Sequence, residues 1–150
     1  MSTHSMIGIK RTDCIEVTYC HYDGFLEGNG EILNTYYQNI QDIENLISKG
    51  SIYELGTQIK NTYYMRYLKS SKIKLGRLHH NYYQRVVTPL LGRKTKEFSM
   101  IHEIVEYMGN FHDKIDFIYL YHEKLGKWLY FKTSNDSEIL IKDLNSAIKN

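Results

Sequence analysis

The sequence has one proline, two cysteines and no apolar run long enough to cross a bilayer. A membrane-spanning helix needs about 20 mainly apolar residues, so we expect no membrane partner. Residues 1–10 lack the pattern of a secretory signal, and the sequence therefore predicts a cytoplasmic protein. In that compartment Cys14 and Cys20 favour free thiols over a disulfide. Without a second cysteine pair a structural zinc site is not predicted, and neither is any other metal or cofactor.

A second absence is local, because residues 60–96 contain no aspartate or glutamate. This stretch, called the basic segment below, holds ten lysines and arginines. The whole chain has 19 basic and 17 acidic residues, so the remainder carries nine bases and all 17 acids. Such separation of charge favours an anionic partner at the basic segment. The alternative is a solvated basic face that only balances the acidic remainder.

Tyrosine is abundant, with 14 residues, and five of them lie in the basic segment. Flat rings among cations are typical of surfaces that stack bases and neutralise phosphates, and each stacked base contributes about 1–3 kcal/mol. The alternative is a tyrosine-rich strand whose basic residues face water. The candidate ligand-binding residues of this segment form its densest cluster of rings and cations: Arg77, His79, His80, Tyr82, Tyr83 and Arg85.

The stretch 19–30 concentrates polar chemistry directly after an alternating apolar run. His21 and Asp23 share a face if the strand continues through them, and a carboxylate beside an imidazole suits acid–base work. With Glu27 the pair also makes a candidate metal trio, although Asp23-Gly24 is equally a turn former. No nucleophile accompanies His21, so we predict binding rather than catalysis. The candidate ligand-binding residues of this stretch are His21, Tyr22, Asp23, Gly24, Glu27, Gly28 and Gly30.

The three glycines have two interpretations. They allow backbone amides to approach an anion ahead of a helix that begins at Glu31. Turn geometry explains them equally well, since the fuller dinucleotide fingerprint is absent.

Periodicity predicts an α+β fold in a single domain, 1–150, with a mainly antiparallel sheet and helices packed on one face. Two hairpins are expected, one near the start and one at 115–133, with Tyr119, Tyr121 and Tyr130 in the core. Asn39 and Ser99 are predicted helix caps. The remaining predicted elements are a helix at 31–38, a helix ending at Gly50, a turn at 51–56, weakly indicated strands at 62–69 and 78–87, and a final helix at 138–149.

Two motifs carry a resemblance to a known family. The start Ser5-Met6-Ile7-Gly8-Ile9 and the stretch Tyr19-Cys20-His21-Tyr22-Asp23-Gly24 with Glu27-Gly28 and Gly30 resemble small phage and bacterial proteins. Members of that family begin S-x-I-G-I, carry Y-C-H-W-D-G-Y-x-x-G-x-G and end in an aromatic hairpin. The resemblance implies a phage-type accessory protein and no particular reaction. Tyr22 stands where many members have tryptophan, and the basic segment is longer than theirs.

Three functions follow as expectations. The first is a homo-oligomeric sponge in the host cytoplasm that sequesters a small nucleotide signal, an anti-defence role. The second is nucleic-acid binding through the basic segment. The third is a phosphodiesterase centred on His21, Asp23 and Glu27. We favour the first, because anion-binding and stacking groups outnumber organised catalytic ones.

Overall fold

The computed structural model of the chain describes residues 3–57, 88–89, 95–109, 114–133 and 139–149. The candidate cluster at 77–85 and the strands predicted at 62–69 and 78–87 lie outside these described residues. Within the described ranges, no helix is long and apolar enough to cross a membrane.

The described residues form strands and short helices. The strands are β1 (His4–Lys10), β2 (Ile15–Cys20), β3 (Ile52–Glu54), β4 (Thr88–Pro89), β5 (Lys96–Phe98), β6 (Ile115–His122), β7 (Lys127–Lys132) and β8 (Lys142–Asp143). The helices are α1 (Glu31–Tyr36), α2 (Ile40–Ser48), α3 (Ile101–Met108) and α4 (Leu144–Lys149), and a π-helical turn (Leu26–Gly30) leads into α1.

All eight strands belong to one sheet, with the order β4-β3-β2-β1-β6-β7-β8 and with β5 beside β2. The two predicted hairpins are confirmed as the antiparallel pairs β1–β2 and β6–β7. However, β1 runs parallel to β6, and β2 runs parallel to β3. The sheet is therefore mixed, and the prediction of a mainly antiparallel sheet is wrong. Parallel neighbours need long connections, which local periodicity does not reveal.

The sheet is covered by helices on both faces, so the prediction of helices on one face is also wrong. Ile7 and Ile9 of β1 pack in a core with α1, α2 and α4, while Met6 packs in a second core with α3. The predicted burial of Tyr119, Tyr121 and Tyr130 is confirmed, in the first of these cores. The two covered faces explain why β1, β2 and β6 are buried at nearly every position.

Three residues were predicted to mark helix ends, and the structure confirms Asn39 and Gly50 but not Ser99. The Asn39 side chain accepts the N–H of Gln41 at 2.8 Å and caps α2, as predicted. Gly50 follows this helix with φ at +77°, the left-handed conformation that glycine adopts easily. Ser99 is not a cap, because α3 begins one residue later and Glu103 accepts the N–H of Met100 at 3.0 Å.

The predicted turn at 51–56 contains β3, and the predicted C-terminal helix is shorter than expected. Leu140 and Ile141 are 64% and 47% exposed and precede the helix instead of lining its inner face. Asp143 pairs with β7 and accepts the N–H of Ser146 at 3.3 Å, which starts α4 at Leu144. The neighbouring Lys127 ammonium, 3.0 Å away, lowers the pKa of the Asp143 carboxyl.

Both cysteines are free thiols, as predicted. Cys20 is buried in the core and Cys14 is half-buried. Burial raises the pKa of the Cys14 thiol, and the carboxylates of Glu97 and Glu16 raise it further. Cys14 is therefore a protonated, weakly reactive thiol at neutral pH.

Gly8 tests how tightly the central pair of strands is packed. A Cβ there would lie 2.2 Å from the carbonyl oxygen of Glu16 and 2.6 Å from a methyl carbon of Val17. Gly8→Ala is expected to lower the free energy of unfolding by about 1–3 kcal/mol, because strand backbone must move. Urea denaturation measures this change. The matched control is Gly109→Ala at the exposed end of α3, where the nearest atom would be 3.2 Å away. Equal losses in the two variants would contradict the packing described for Gly8.

Candidate functional site

The first part of the candidate site lies where β2 ends beside β3. The strand stops at Cys20, so His21 and Asp23 are not on a strand, and the predicted shared face does not exist. The His21 N–H donates to the carbonyl of Ile52 at 2.9 Å, and the Tyr22 N–H donates to that of Tyr53 at 2.8 Å. These two bonds hold the residues after β2 against the neighbouring strand.

His21 belongs to a cluster of two histidines and one tyrosine. The Tyr19 hydroxyl lies 2.7 Å from His21 Nδ1 and 3.2 Å from His4 Nδ1. His4 Nδ1 also lies 2.5 Å from the carbonyl oxygen of His21. His4 and Tyr19 are 8% and 4% exposed, so these contacts are shielded from water. Sequence reasoning missed His4, because only the β1–β2 register, which pairs neighbouring Ser5 with Cys20, brings it to His21.

An aromatic surface surrounds the His21 ring. The rings of Tyr22 and Tyr53 are nearly parallel, with centroids 6.1 Å apart and planes 21° apart. The His21 ring stands edge-on to both, at 4.6 Å from Tyr22 and 5.7 Å from Tyr53. Tyr22 is 38% exposed, so part of this surface faces solvent. Sequence reasoning missed Tyr53, because it assigned the residue to a turn.

The candidate glycines are buried, and their neighbours leave no room for side chains. A Cβ on Gly24 would lie 2.7 Å from the backbone of His4, and one on Gly28 would lie 2.5 Å from the carbonyl oxygen of Asp23. A Cβ on Gly30 would meet the ring of a core tyrosine at 3.3 Å. Close packing of the loop thus accounts for Gly24 and Gly28, which supports the turn interpretation over an anion-binding one.

Asn29 fixes this loop to the sheet. Its Nδ2 donates to Ser5 Oγ at 3.1 Å, to Cys20 Sγ at 3.2 Å and to the carbonyl oxygen of Tyr22 at 3.1 Å. The side chain is fully buried, and its backbone N–H donates to the carbonyl of Asp23 at 2.8 Å. Asp23 has φ at +58°, and the short polar side chain of aspartate tolerates this conformation better than most.

The Tyr119 hydroxyl gives the loop a third attachment. It donates to the carbonyl oxygen of Gly24 at 2.6 Å from within the core. Burial raises the pKa of this phenol well above its usual range. The loop is therefore attached to β1, β2 and β6.

Tyr37 is a second buried phenol with a hydrogen bond to the backbone. It donates to the Gly56 carbonyl at 2.6 Å, and burial raises its pKa.

Two of the candidate residues carry carboxylates. Asp23 lies in the loop, and Glu27 is exposed on the π-helical turn. Among the described residues, no group of histidine, cysteine, aspartate and glutamate is arranged to hold a metal ion. Within the basic segment, Thr88 and Pro89 form β4, which pairs with β3 through Ile52↔Pro89 and Glu54↔Thr88. Of the described residues of the basic segment, Thr88 and Pro89 thus lie beside the strand that carries Tyr53, whereas Lys96 pairs with Val17 of β2.

A larger cleft, of about 590 Å³, lies at the opposite end of the β1–β2 hairpin. Its arginine, Arg11, contacts three carboxylates: Glu16 at 2.8 Å, Glu44 at 3.3 Å and Glu123 at 2.5 Å. These carboxylates surround the guanidinium, and the cleft is also lined by Lys49 and by Thr95 of the basic segment.

The chain matches no protein-family model, no curated protein and no solved structure. The resemblance to the phage and bacterial family therefore stays a prediction from the quoted motifs.

The raised pKa values of Tyr37 and Tyr119 predict instability in alkali. Both phenols keep their protons in the folded state, while an unfolded tyrosine ionises near pH 10. Their contribution to stability is therefore complete below about pH 10 and is lost as the pH rises further. Tyr119→Phe is expected to reduce this pH dependence, at a cost of about 1 kcal/mol at neutral pH for the lost hydrogen bond. Urea unfolding at several pH values measures both effects. Identical pH dependence in wild type and variant would contradict the role of Tyr119.

Proposed function

We propose that this protein captures a small anionic nucleotide signal and holds it without turning it over. The observation that carries the proposal is the partly exposed cluster of His21, Tyr22 and Tyr53. Tyr53 of this cluster lies on β3, which pairs with Thr88 and Pro89 of the basic segment.

The cluster has the properties of a stacking surface for a nucleobase. Its rings are held edge-to-face by one another, and backbone hydrogen bonds fix both tyrosines at the edge of β3. A ring that is already held loses little conformational freedom when it binds a planar ligand. Stacking of one base on such a surface contributes about 1–3 kcal/mol.

Charged groups at the site determine how the ligand is expected to be oriented. The exposed carboxylate of Glu27 repels phosphate, so the phosphates are expected to face the basic segment. The same carboxylate accepts hydrogen bonds and suits ribose hydroxyls or the N–H groups of a base. A ligand that is planar at one end and anionic at the other therefore complements the two parts of the site.

The surroundings of His21 favour capture over catalysis. Its Nδ1 is engaged by the Tyr19 hydroxyl at 2.7 Å. A histidine that acts as a general base usually donates from Nδ1 to a carboxylate, which leaves Nε2 to take the proton. The engagement of Nδ1 by a phenol instead suits a residue that recognises a ligand. By the motif resemblance, we extend the proposal to a homo-oligomeric phage protein that sequesters a host defence signal.

Calorimetry and thermal shift with a panel of cyclic, linear and ADP-ribose-type nucleotides test the proposal. We expect one of them to bind and to raise the melting temperature. Heating the complex and separating its contents by chromatography is expected to return the nucleotide intact. A changed product that His21→Ala abolishes would instead establish the phosphodiesterase. Binding of long oligonucleotides with steep salt dependence, without any response to nucleotides, would establish nucleic-acid binding.

Tyr22→Leu and Tyr53→Leu test the stacking surface itself. Each is expected to weaken nucleotide binding about 5- to 150-fold, which corresponds to the loss of ~1–3 kcal/mol of stacking. Calorimetric titration of the same nucleotide measures the change. The matched control is Tyr107→Leu on α3, whose ring packs on Phe98 against the other face of the sheet. Unchanged affinity in both test variants would remove the aromatic cluster from the site.

A further inference from the structure

The face of the sheet that packs on α3 is too long for that helix to cover. With eight residues, α3 is about 12 Å long, whereas the eight residues of β6 span about 26 Å. Ile104 and Met108 of α3 lie in the core on this face. The helix alone therefore cannot remove the whole face from water.

Two adjoining cavities lie on this face at the N-terminal end of α3. Their volumes are about 270 and 400 Å³, and both are lined by Lys10, Ile101 and Ile141. An apolar cavity of about 150 Å³ is large enough to hold benzene. The smaller cavity therefore has room for a chain of several carbons. Its apolar wall includes Leu120, Leu125, Leu129 and Phe131.

Exposed apolar side chains are concentrated around these cavities. Among the described residues, three of the six large apolar side chains that are exposed line one cavity or both, namely Met100, Leu125 and Ile141. Apolar side chains grouped around a concave surface mark a binding site more often than single exposed ones do. A ligand in the cavities would remove all three from water.

The ionisable groups that line the cavities favour an anion. No aspartate or glutamate is among the described residues that line either cavity, whereas Lys10, His102 and His122 are. The half-buried Lys10 ammonium donates to the carbonyl oxygen of Arg11 at 3.0 Å, which leaves two of its N–H groups for other acceptors. Lys10 takes part in none of the ion pairs formed by the described residues.

The neighbouring carboxylates each have another partner. Glu103 accepts the N–H of Met100 at 3.0 Å, and Glu123 contacts Arg11. Asp143, which is opposite the cavity residue Leu129 in the sheet, pairs with Lys127 at 3.0 Å. The positive charge of Lys10 is therefore available to a bound anion.

His122 supplies a second donor next to Lys10. The two residues are paired in the β1–β6 register, which brings both to the same cavity. His122 Nδ1 lies 3.2 Å from the N–H of Leu125, and a backbone N–H only donates. The hydrogen of the neutral imidazole is therefore on Nε2, where a carboxylate oxygen can accept it.

We propose that the two cavities bind an unbranched fatty acid. Its chain lies along Leu120, Leu129 and Phe131, and its carboxylate accepts hydrogen bonds from Lys10 and His122. An acidic peptide fits less well, because a buried peptide backbone needs hydrogen-bond partners that this mainly aliphatic wall does not offer. The site lies apart from the aromatic surface around His21 and does not depend on the proposed function.

Calorimetric titration with hexanoate, octanoate, decanoate and dodecanoate, each below its self-association concentration, tests the proposal. We expect affinity to rise about fourfold for each added CH₂, which corresponds to ~0.8 kcal/mol, until the cavities are full. Decanol and decyltrimethylammonium are the matched ligands without a carboxylate, and both are expected to bind more weakly than decanoate. No binding of any alkanoate would overturn the proposal, and so would equal affinity for the three ten-carbon ligands.

Lys10→Gln tests the charge pairing. Decanoate is expected to bind about fivefold more weakly, because the charge interaction is lost, while the affinity for decanol stays unchanged. Leu125→Glu, in the exposed turn after β6, gives a second test that leaves the core intact. Its carboxylate is expected to repel decanoate and to spare decanol. An equal change for both ligands in both variants would overturn the placement of the carboxylate.

Leu129→Phe tests the position of the chain. The larger ring fills part of the cavity and is expected to weaken decanoate about 15-fold, as if about two CH₂ groups no longer fitted. The matched control is Leu140→Phe, because Leu140 is exposed and lines neither cavity. Equal affinities in the two variants would overturn the proposed site. Urea unfolding of each variant checks that the fold is kept.

Discussion

The pairing of β1 on both its edges is the constraint on which the rest of the structure depends. This strand joins β2 on one side and β6 on the other, in opposite senses of direction. Its side chains supply both hydrophobic cores, with Ile7 and Ile9 in one and Met6 in the other. A strand enclosed in this way has its backbone hydrogen bonds satisfied by neighbours and its side chains removed from water, so it provides a rigid frame.

The candidate site is built from the ends of that frame. His4 begins β1, Tyr19 is next to the end of β2, and Tyr119 of β6 holds the loop carbonyl of Gly24. Asn29 adds bonds from the loop to both strands of the hairpin. The loop after β2 is therefore held by three strands, and side chains on it are placed more precisely than on a free loop. Precision of this kind suits recognition of one particular small molecule.

The two ends of the β1–β2 hairpin differ in charge and in chemistry. At one end Arg11 is surrounded by three carboxylates, and the charges largely satisfy one another. At the other end lie the aromatic rings of the candidate site, on and beside β3, which pairs with Thr88 and Pro89 of the basic segment. An anion gains most where positive charge is not already neutralised. We prefer the aromatic surface to the cleft as the candidate for a nucleotide, because its rings can stack on a planar ligand.

Local sequence by itself determined the pieces of this protein: two hairpins, the Asn39 cap, the left-handed Gly50 and the burial of the C-terminal tyrosines. These follow from contacts between residues close in the chain, where periodicity and side-chain chemistry suffice. The tertiary structure alone decided that β1 and β6 are parallel, that helices cover both faces, and that His4 and Tyr53 join His21. Each of these depends on strands brought together from distant parts of the chain, and their register is set by packing of the whole sheet.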